Sequence, residues 1–173
     1  MWFEARRSSA SQPKNDCTAA ATSVAAGFEI TAKLAMALRP GHGTIDTIQS
    51  NTLGASIMAG KLLGLDQQRL TDCLGVATFL ASGSFEFLCE PGYWTRAAQV
   101  GWAAYSGLVA ALLAKGGLQG SPRVVEAPYG FLNSFSDSPD AAVLDRLGNP
   151  FEITRTGMKL YPTTRYAQAE QRA

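Results

Sequence analysis

Ala-rich apolar stretches, punctuated by Gly and Pro, give the first two thirds of this chain a helical periodicity. After a polar leader over residues 1–15, Asp16 can cap a helix through about Leu38, in which Phe28, Ile30, Leu34 and Met36 suit interior packing. Arg39-Pro40-Gly41 ends it. A loop from Gly41 to about Gln49 leads into a second helix through Leu63, with Gly64 placed as the left-handed residue after it. Asp66 caps a third helix to about Ala81. Ser82 and Gly83 break the pattern, and Phe85 to Gly92 reads as a connection with one short turn. Helical periodicity resumes from about Tyr93 to Lys115 and stops at Gly116-Gly117. Small residues recur at close spacing, Gly54, Ala55, Ala59 and Gly60 on one helix and Gly101, Ala103, Ala104 and Gly107 on another, so helix axes can approach closely.

From Gly117 onward Pro, Gly, Ser and Asp become frequent. Short helices fit Pro122 to Glu126, Tyr129 to Ser134 and Pro139 to Leu147. Phe151 to Tyr161, β-branched and aromatic between Pro150 and Pro162, predicts a strand whose partner must come from elsewhere. The predicted fold class is mainly α: a helical bundle over residues 16–117 and an irregular C-terminal portion, residues 118–173, that begins a small α+β element of one or a few strands.

Composition narrows the function. At 173 residues and 46% hydrophobic content the chain can bury one sizeable core. Lys and Arg number 15 against 14 Asp and Glu, a net charge of +1 that offers nothing to a phosphate backbone or an anionic membrane. The apolar run Val100 to Ala114 falls short of the roughly 20 residues of a spanning helix and reads as a buried one. Cys17, Cys73 and Cys89 are odd in number and far apart, which fits neither a disulfide framework nor a zinc site; they read as reduced thiols, mostly buried, of a cytoplasmic protein. The leader lacks the apolar run of a secretory signal, while its Arg6, Arg7 and serines leave a mitochondrial presequence open. One histidine, no close cysteine pair and no carboxylate cluster argue against a metal, and no cofactor is implied.

Few ionisable groups invite chemistry. Lys159 stands in an apolar strand-like run, and is either a partly buried proton carrier or the solvent-facing lysine of an edge strand. Arg96, near the start of the fourth helix, gains nothing from the dipole there, so a substrate carboxylate held bidentately or a surface ion pair with Glu90 or Glu86 accounts for it. Arg165 offers the same alternatives of anion binding or a solvated face. His42, between Gly41 and Gly43, is an acid/base candidate or an exposed loop residue without a chemical role. Ser82-Gly83-Ser84 lacks the second glycine and base of a nucleophile elbow.

GASIMAGKLLGLD from Gly54 to Asp66, YWTRAAQVGWAAYSGLVAALL from Tyr93 and MKLYPTTRYAQ from Met158 resemble, in that order and spacing, the MmgE/PrpD family, which includes 2-methylcitrate dehydratases and cis-aconitate decarboxylases. The resemblance runs from about Ala19 to Arg172. Family members are longer, and it implies that this chain corresponds to an internal segment of them, with the family's acidic HALDFDD-like motif and catalytic aspartate outside it. The family's G-F/W-H-x-T pattern falls on Gly43 to Thr47, with Ile45 at the histidine. Its Lys-x-x-His before Gly-x-Ala-Ala falls on Arg96 and Gln99 before Gly101. Its K-P-Y-P-C-C-R-Y-T-H pattern retains Lys159, Tyr161, Pro162, Arg165 and Tyr166, with Gln168 at the final histidine.

The resemblance implies a cofactor-independent lyase or isomerase acting on a small carboxylated molecule: Lys159 and Tyr161 catalytic, with Arg96, Arg165, Gln99, Thr47 and His42 around the substrate. Ile45, Gln99 and Gln168 cannot exchange protons as histidine does, so a rearrangement or cyclisation that relies on shape and hydrogen bonding suits this set better than dehydration. A non-catalytic helical binding or assembly module is the alternative. The family's dimers and the apolar helix surface imply a homodimer; nucleic acid and membrane are not expected as partners.

Overall fold

The computed structural model describes residues 17–39, 46–84 and 95–162. Four long helices dominate: α1 (Cys17–Leu38), α2 (Asp46–Leu62), α3 (Gln67–Leu80) and α4 (Thr95–Lys115), followed by the short α5 (Phe131–Phe135). The mainly α prediction holds. Helix ends follow from local chemistry. Asp66 lies outside α3 in extended backbone and its carboxylate accepts the Arg69 N–H at 2.9 Å, the arrangement that satisfies an orphan donor of the first turn. Asp66→Ala is expected to lower stability by about 1 kcal/mol, read from the urea midpoint at unchanged slope.

Gly64 and Gly117 have φ of 72° and 105°. Each closes a double turn, Leu65 N–H to Gly60 O with Gly64 N–H to Lys61 O, and Leu118 N–H to Leu113 O with Gly117 N–H to Ala114 O, which answers the last carbonyls of α2 and α4. α2 begins at Asp46, so Thr47 and Gln49 are helical and not in a loop as the sequence suggested. Burial overrides the weak helix propensity of the β-branched residues here: Ile48 and Gln49 are enclosed, and the Thr52 hydroxyl donates to Ile48 O at 3.1 Å.

α2 is the central helix, touching α1, α3 and α4. Leu53 and Ile57 are fully buried and share one core with Leu34, Leu38, Cys73, Ala77, Ala110, Phe131 and Leu132. Glycines set the crossings. A Cβ on Gly27 would meet Gly54 O at 2.7 Å and Met58 Cβ at 2.9 Å, and one on Gly107 would meet Ala55 Cβ, Ser56 N and Thr52 O at 2.6–2.8 Å. The second contact, with Ile48 packed on Ala103, shows α2 and α4 running parallel, so both begin at the same end of the bundle.

The C-terminal portion departs from prediction. Residues 122–126 form turns without a helix, whereas Phe131–Phe135 is helical as expected. The third predicted short helix is a 3-10 turn, Ala141–Arg146. No strand occurs among the described residues: the predicted strand from Phe151 holds a second 3-10 turn, Glu152–Arg155, and then irregular chain to Pro162. The cause is non-local. Buried Glu29 of α1 accepts the N–H groups of Gly148 at 2.9 Å and Glu152 at 2.6 Å, which removes them from any ladder.

Candidate functional site

Polar groups that the fold leaves unanswered gather where α2 and α4 begin. Gln49, in the first turn of α2, is wholly buried; its amide Nε2 donates to Gly83 O at 3.2 Å, fixing the amide so that Oε1 points away from that bond. Gly83 itself has φ of 137°, and a Cβ there would press on Ile48 at 3.0 Å, so only glycine brings this carbonyl to Gln49. On α4, Trp102 Nε1 donates to Ser82 Oγ at 3.3 Å. The Ser82-Gly83 turn is thus clasped from both helices. Among the described residues nothing donates a hydrogen bond to Gln49 Oε1 or Gln99 Oε1, both of which are buried. A buried carbonyl oxygen without a donor costs about 1–3 kcal/mol, and native proteins keep such groups where water, ion or ligand completes them.

Of the residues singled out from sequence, Gln99 and Thr47 lie at this end of the bundle, Gln99 half-buried and Thr47 exposed on α2. Arg96 is in the first turn of α4, with its side chain outside the described residues, as are His42 and Arg165. Lys159 is exposed, in the chain beyond the second 3-10 turn, and so is Tyr161 at 39%. Among the described residues no sheltered environment surrounds Lys159. Sequence reasoning missed Gln49, whose neighbours Thr47, Ile48 and Ser50 gave it no distinguishing pattern.

It also missed a buried polar group on α1. Glu29 and Lys33, 3% and 4% exposed, stand one turn apart; Lys33 Nζ is 2.8 Å from Glu152 Oε1, and Arg155 Nη1 is 3.6 Å from the same oxygen. The Lys33 hydrogen bond, aided by its charge and that of Arg155, holds the Glu152 carboxyl below its ordinary range. Two charges four apart in the apolar run FEITAKLAMAL were the available signal. A cavity of about 320 Å³ lies here, lined by Lys33, Met36, Arg146, Asn149, Glu152 and Arg155 among others.

Cys73 is buried and Cys17 is exposed; Cys89 lies outside the described residues. Burial pushes the Cys73 thiol up to about 11, opposed by a side-chain hydrogen bond with Ser56; the thiol itself donates to Ser56 O at 3.4 Å. No group of three or more His, Cys, Asp or Glu that could hold a metal occurs among the described residues. By length and composition alone α1 and Ala97–Lys115 could cross a membrane, a test that core helices also pass. The second is longer than the apolar run read from sequence. In α1, Glu29 and Lys33 are bonded within the protein.

This helical architecture has a counterpart among known families. The chain belongs to the MmgE/PrpD family: the family's N-terminal domain matches residues 8–144. Among curated proteins it is similar to the cis-aconitate decarboxylase of Aspergillus terreus, at 38% identity over 82 residues, and equally to that of A. terreus strain NIH 2624 / FGSC A1156. The match takes in 47% of this chain and 16% of each relative, so the chain spans well under two thirds of their length.

Proposed function

We propose that this chain forms the helical part of a lyase or isomerase that acts on a small carboxylated molecule, with substrate seated where α2 and α4 begin. One observation carries the reading: two buried glutamine oxygens, on Gln49 and Gln99, lack a donor among the described residues, and Gln99 occupies a position where the family resemblance places a histidine. A ligand hydroxyl or an ordered water bound with substrate supplies the missing donors.

In this reading Arg96 and Arg165 hold carboxylate, the guanidinium fork matching it bidentately. His42 and Thr47 are assigned to substrate binding. Lys159 transfers the proton and Tyr161 orients or donates. The relatives' name describes decarboxylation of cis-aconitate; the present chain, with Ile45, Gln99 and Gln168 at histidine positions, is better suited to a cofactor-independent rearrangement or cyclisation, in which positioning replaces acid/base power.

Cover for the site is proposed to come from a second copy. Trp102, Tyr105, Leu108 and Leu112 recur every three or four residues along α4 and are 46–59% exposed. No charged residue interrupts the helix from Ala97 to Ala114. A face of this kind is self-complementary about a two-fold axis, with no like charges to juxtapose.

A thermal-shift panel of small carboxylic acids tests the proposal, since a ligand at a hundred times its Kd stabilises by about 2.7 kcal/mol. Lys159→Met is expected to abolish turnover and leave the unliganded melting temperature unchanged. The second reading, a non-catalytic binding or assembly module, is favoured by the exposure of Lys159. No stabilisation by any acid, together with a firm oligomer, would establish it.

A further inference from the structure

We propose that residues 148–156 form a charge-latched strap that docks on Glu29 and Lys33 of α1 and lifts from the helix while the four-helix core stays folded. Neither the 3-10 turn before this segment nor the one within it has a buried residue, and Phe151 and Ile153 are 44% and 39% exposed. Apolar contact of these two part-covered side chains supplies some of its attachment. Charge supplies the rest. Both oxygens of the buried Glu29 carboxylate accept strap N–H groups, from Gly148 and Glu152, and the buried Lys33 ammonium donates to Glu152 Oε1.

Attraction within such a group is offset by the cost of keeping both charges out of water. Lifting the strap breaks the pair but returns Glu29, Lys33 and Glu152 to solvent, through a junction that already contains a cavity of about 320 Å³. The docked and lifted forms are for that reason closer in free energy than an apolar contact of the same length would make them. The core, built from α1–α5 around Leu53 and Ile57, has no share in this balance. The charged groups facing the latch are Glu29 and Lys33 from α1, Asp140 just before the first 3-10 turn and Arg146 within it, and Glu152 and Arg155 from the second. Asp140 is engaged by Arg39 at 2.7 Å. Glu152 titrates below its ordinary value of 4.5 because Lys33 and Arg155 favour its anion. The Lys33–Glu152 tie is thus complete above pH 4.5 and is lost as pH falls through the lower folded value.

The strap leads directly to Lys159 and Tyr161. Any consequence for turnover rests on the functional reading above; the latch itself does not. Hydrogen exchange of the full chain at neutral pH, followed by mass spectrometry, tests it in wild type, Glu152→Gln and Lys33→Met. Because removing one partner of a buried pair strands the other, peptides covering 146–156 are expected to exchange faster in Glu152→Gln by on the order of a hundredfold or more, with α2 and α3 unchanged. Lys33→Met, which leaves no buried cation behind, is expected to give a smaller acceleration confined to the same peptides. Unchanged protection of 146–156 in both variants, or equal loss of protection in α2 and α3, would overturn the proposal. Neither outcome depends on whether the protein turns over a carboxylic acid.

Discussion

Gly107→Ala is expected to destabilise the protein by about 1–3 kcal/mol, while Gly101→Ala, six residues away on the same helix, is expected to stabilise it by about 0.5–1 kcal/mol. The two glycines are equivalent in helix propensity. They differ in what a methyl group would meet. At Gly107 it would fall against Ala55 Cβ, Ser56 N and Thr52 O, two of them backbone atoms of α2 that cannot turn aside, so α2 and α4 would have to separate. That separation would loosen Ala110 and Ala111, which are fully buried along the same side of α4. At Gly101 nothing lies within 4 Å, and alanine simply removes the backbone entropy that glycine loses in a helix. Urea denaturation of both variants checks the pair. Equal destabilisation by the two would mean that the crossing at Gly107 is not the close contact described.

The double variant Tyr105→Glu/Leu112→Glu is expected to convert the proposed dimer to a monomer with the helix content of the wild type. Both residues are at least half exposed in the single chain, at 59% and 50%, so beyond the Tyr105–Trp102 contact the substitutions disturb little intrachain packing. Across a two-fold interface each glutamate would face apolar surface or its own copy, and like-charge juxtaposition costs several kcal/mol. Tyr105 also stacks on Trp102, ring centroids 5.6 Å apart, and its loss removes an aromatic pair of the sort that anchors interfaces. Sedimentation velocity distinguishes the outcomes. A wild type that sediments as a monomer, or a variant that remains a dimer, would show that α4 is not the interface.

What the sequence disclosed about the fold was local in origin. Asp66, Gly64 and Gly117 act through bonds within one turn of themselves, so their residue types announced the helix ends. The crossings were half legible: Gly54 and Gly107 do bring axes together, but Gly101 carries the same spacing signal and faces open space, because spacing does not say which side of a helix meets a neighbour. The 3-10 turn at Glu152–Arg155 was not legible. β-branched and aromatic residues there favour a strand, and that preference yields to a carboxylate 123 residues earlier in the chain. The candidate site shows the same division. Gln99 stood out through a resemblance, Thr47 likewise, whereas Gln49 gains its meaning from a carbonyl 34 residues away that only the folded chain supplies.

The most direct test of the functional account is proton NMR of small di- and tricarboxylic acids, cis-aconitate among them, incubated with wild type and with Lys159→Met at equal concentration. The account predicts that at least one acid is converted by wild type and left intact by Lys159→Met. Conversion of none of them by wild type, or conversion of the same acid at the same rate by Lys159→Met, would contradict it.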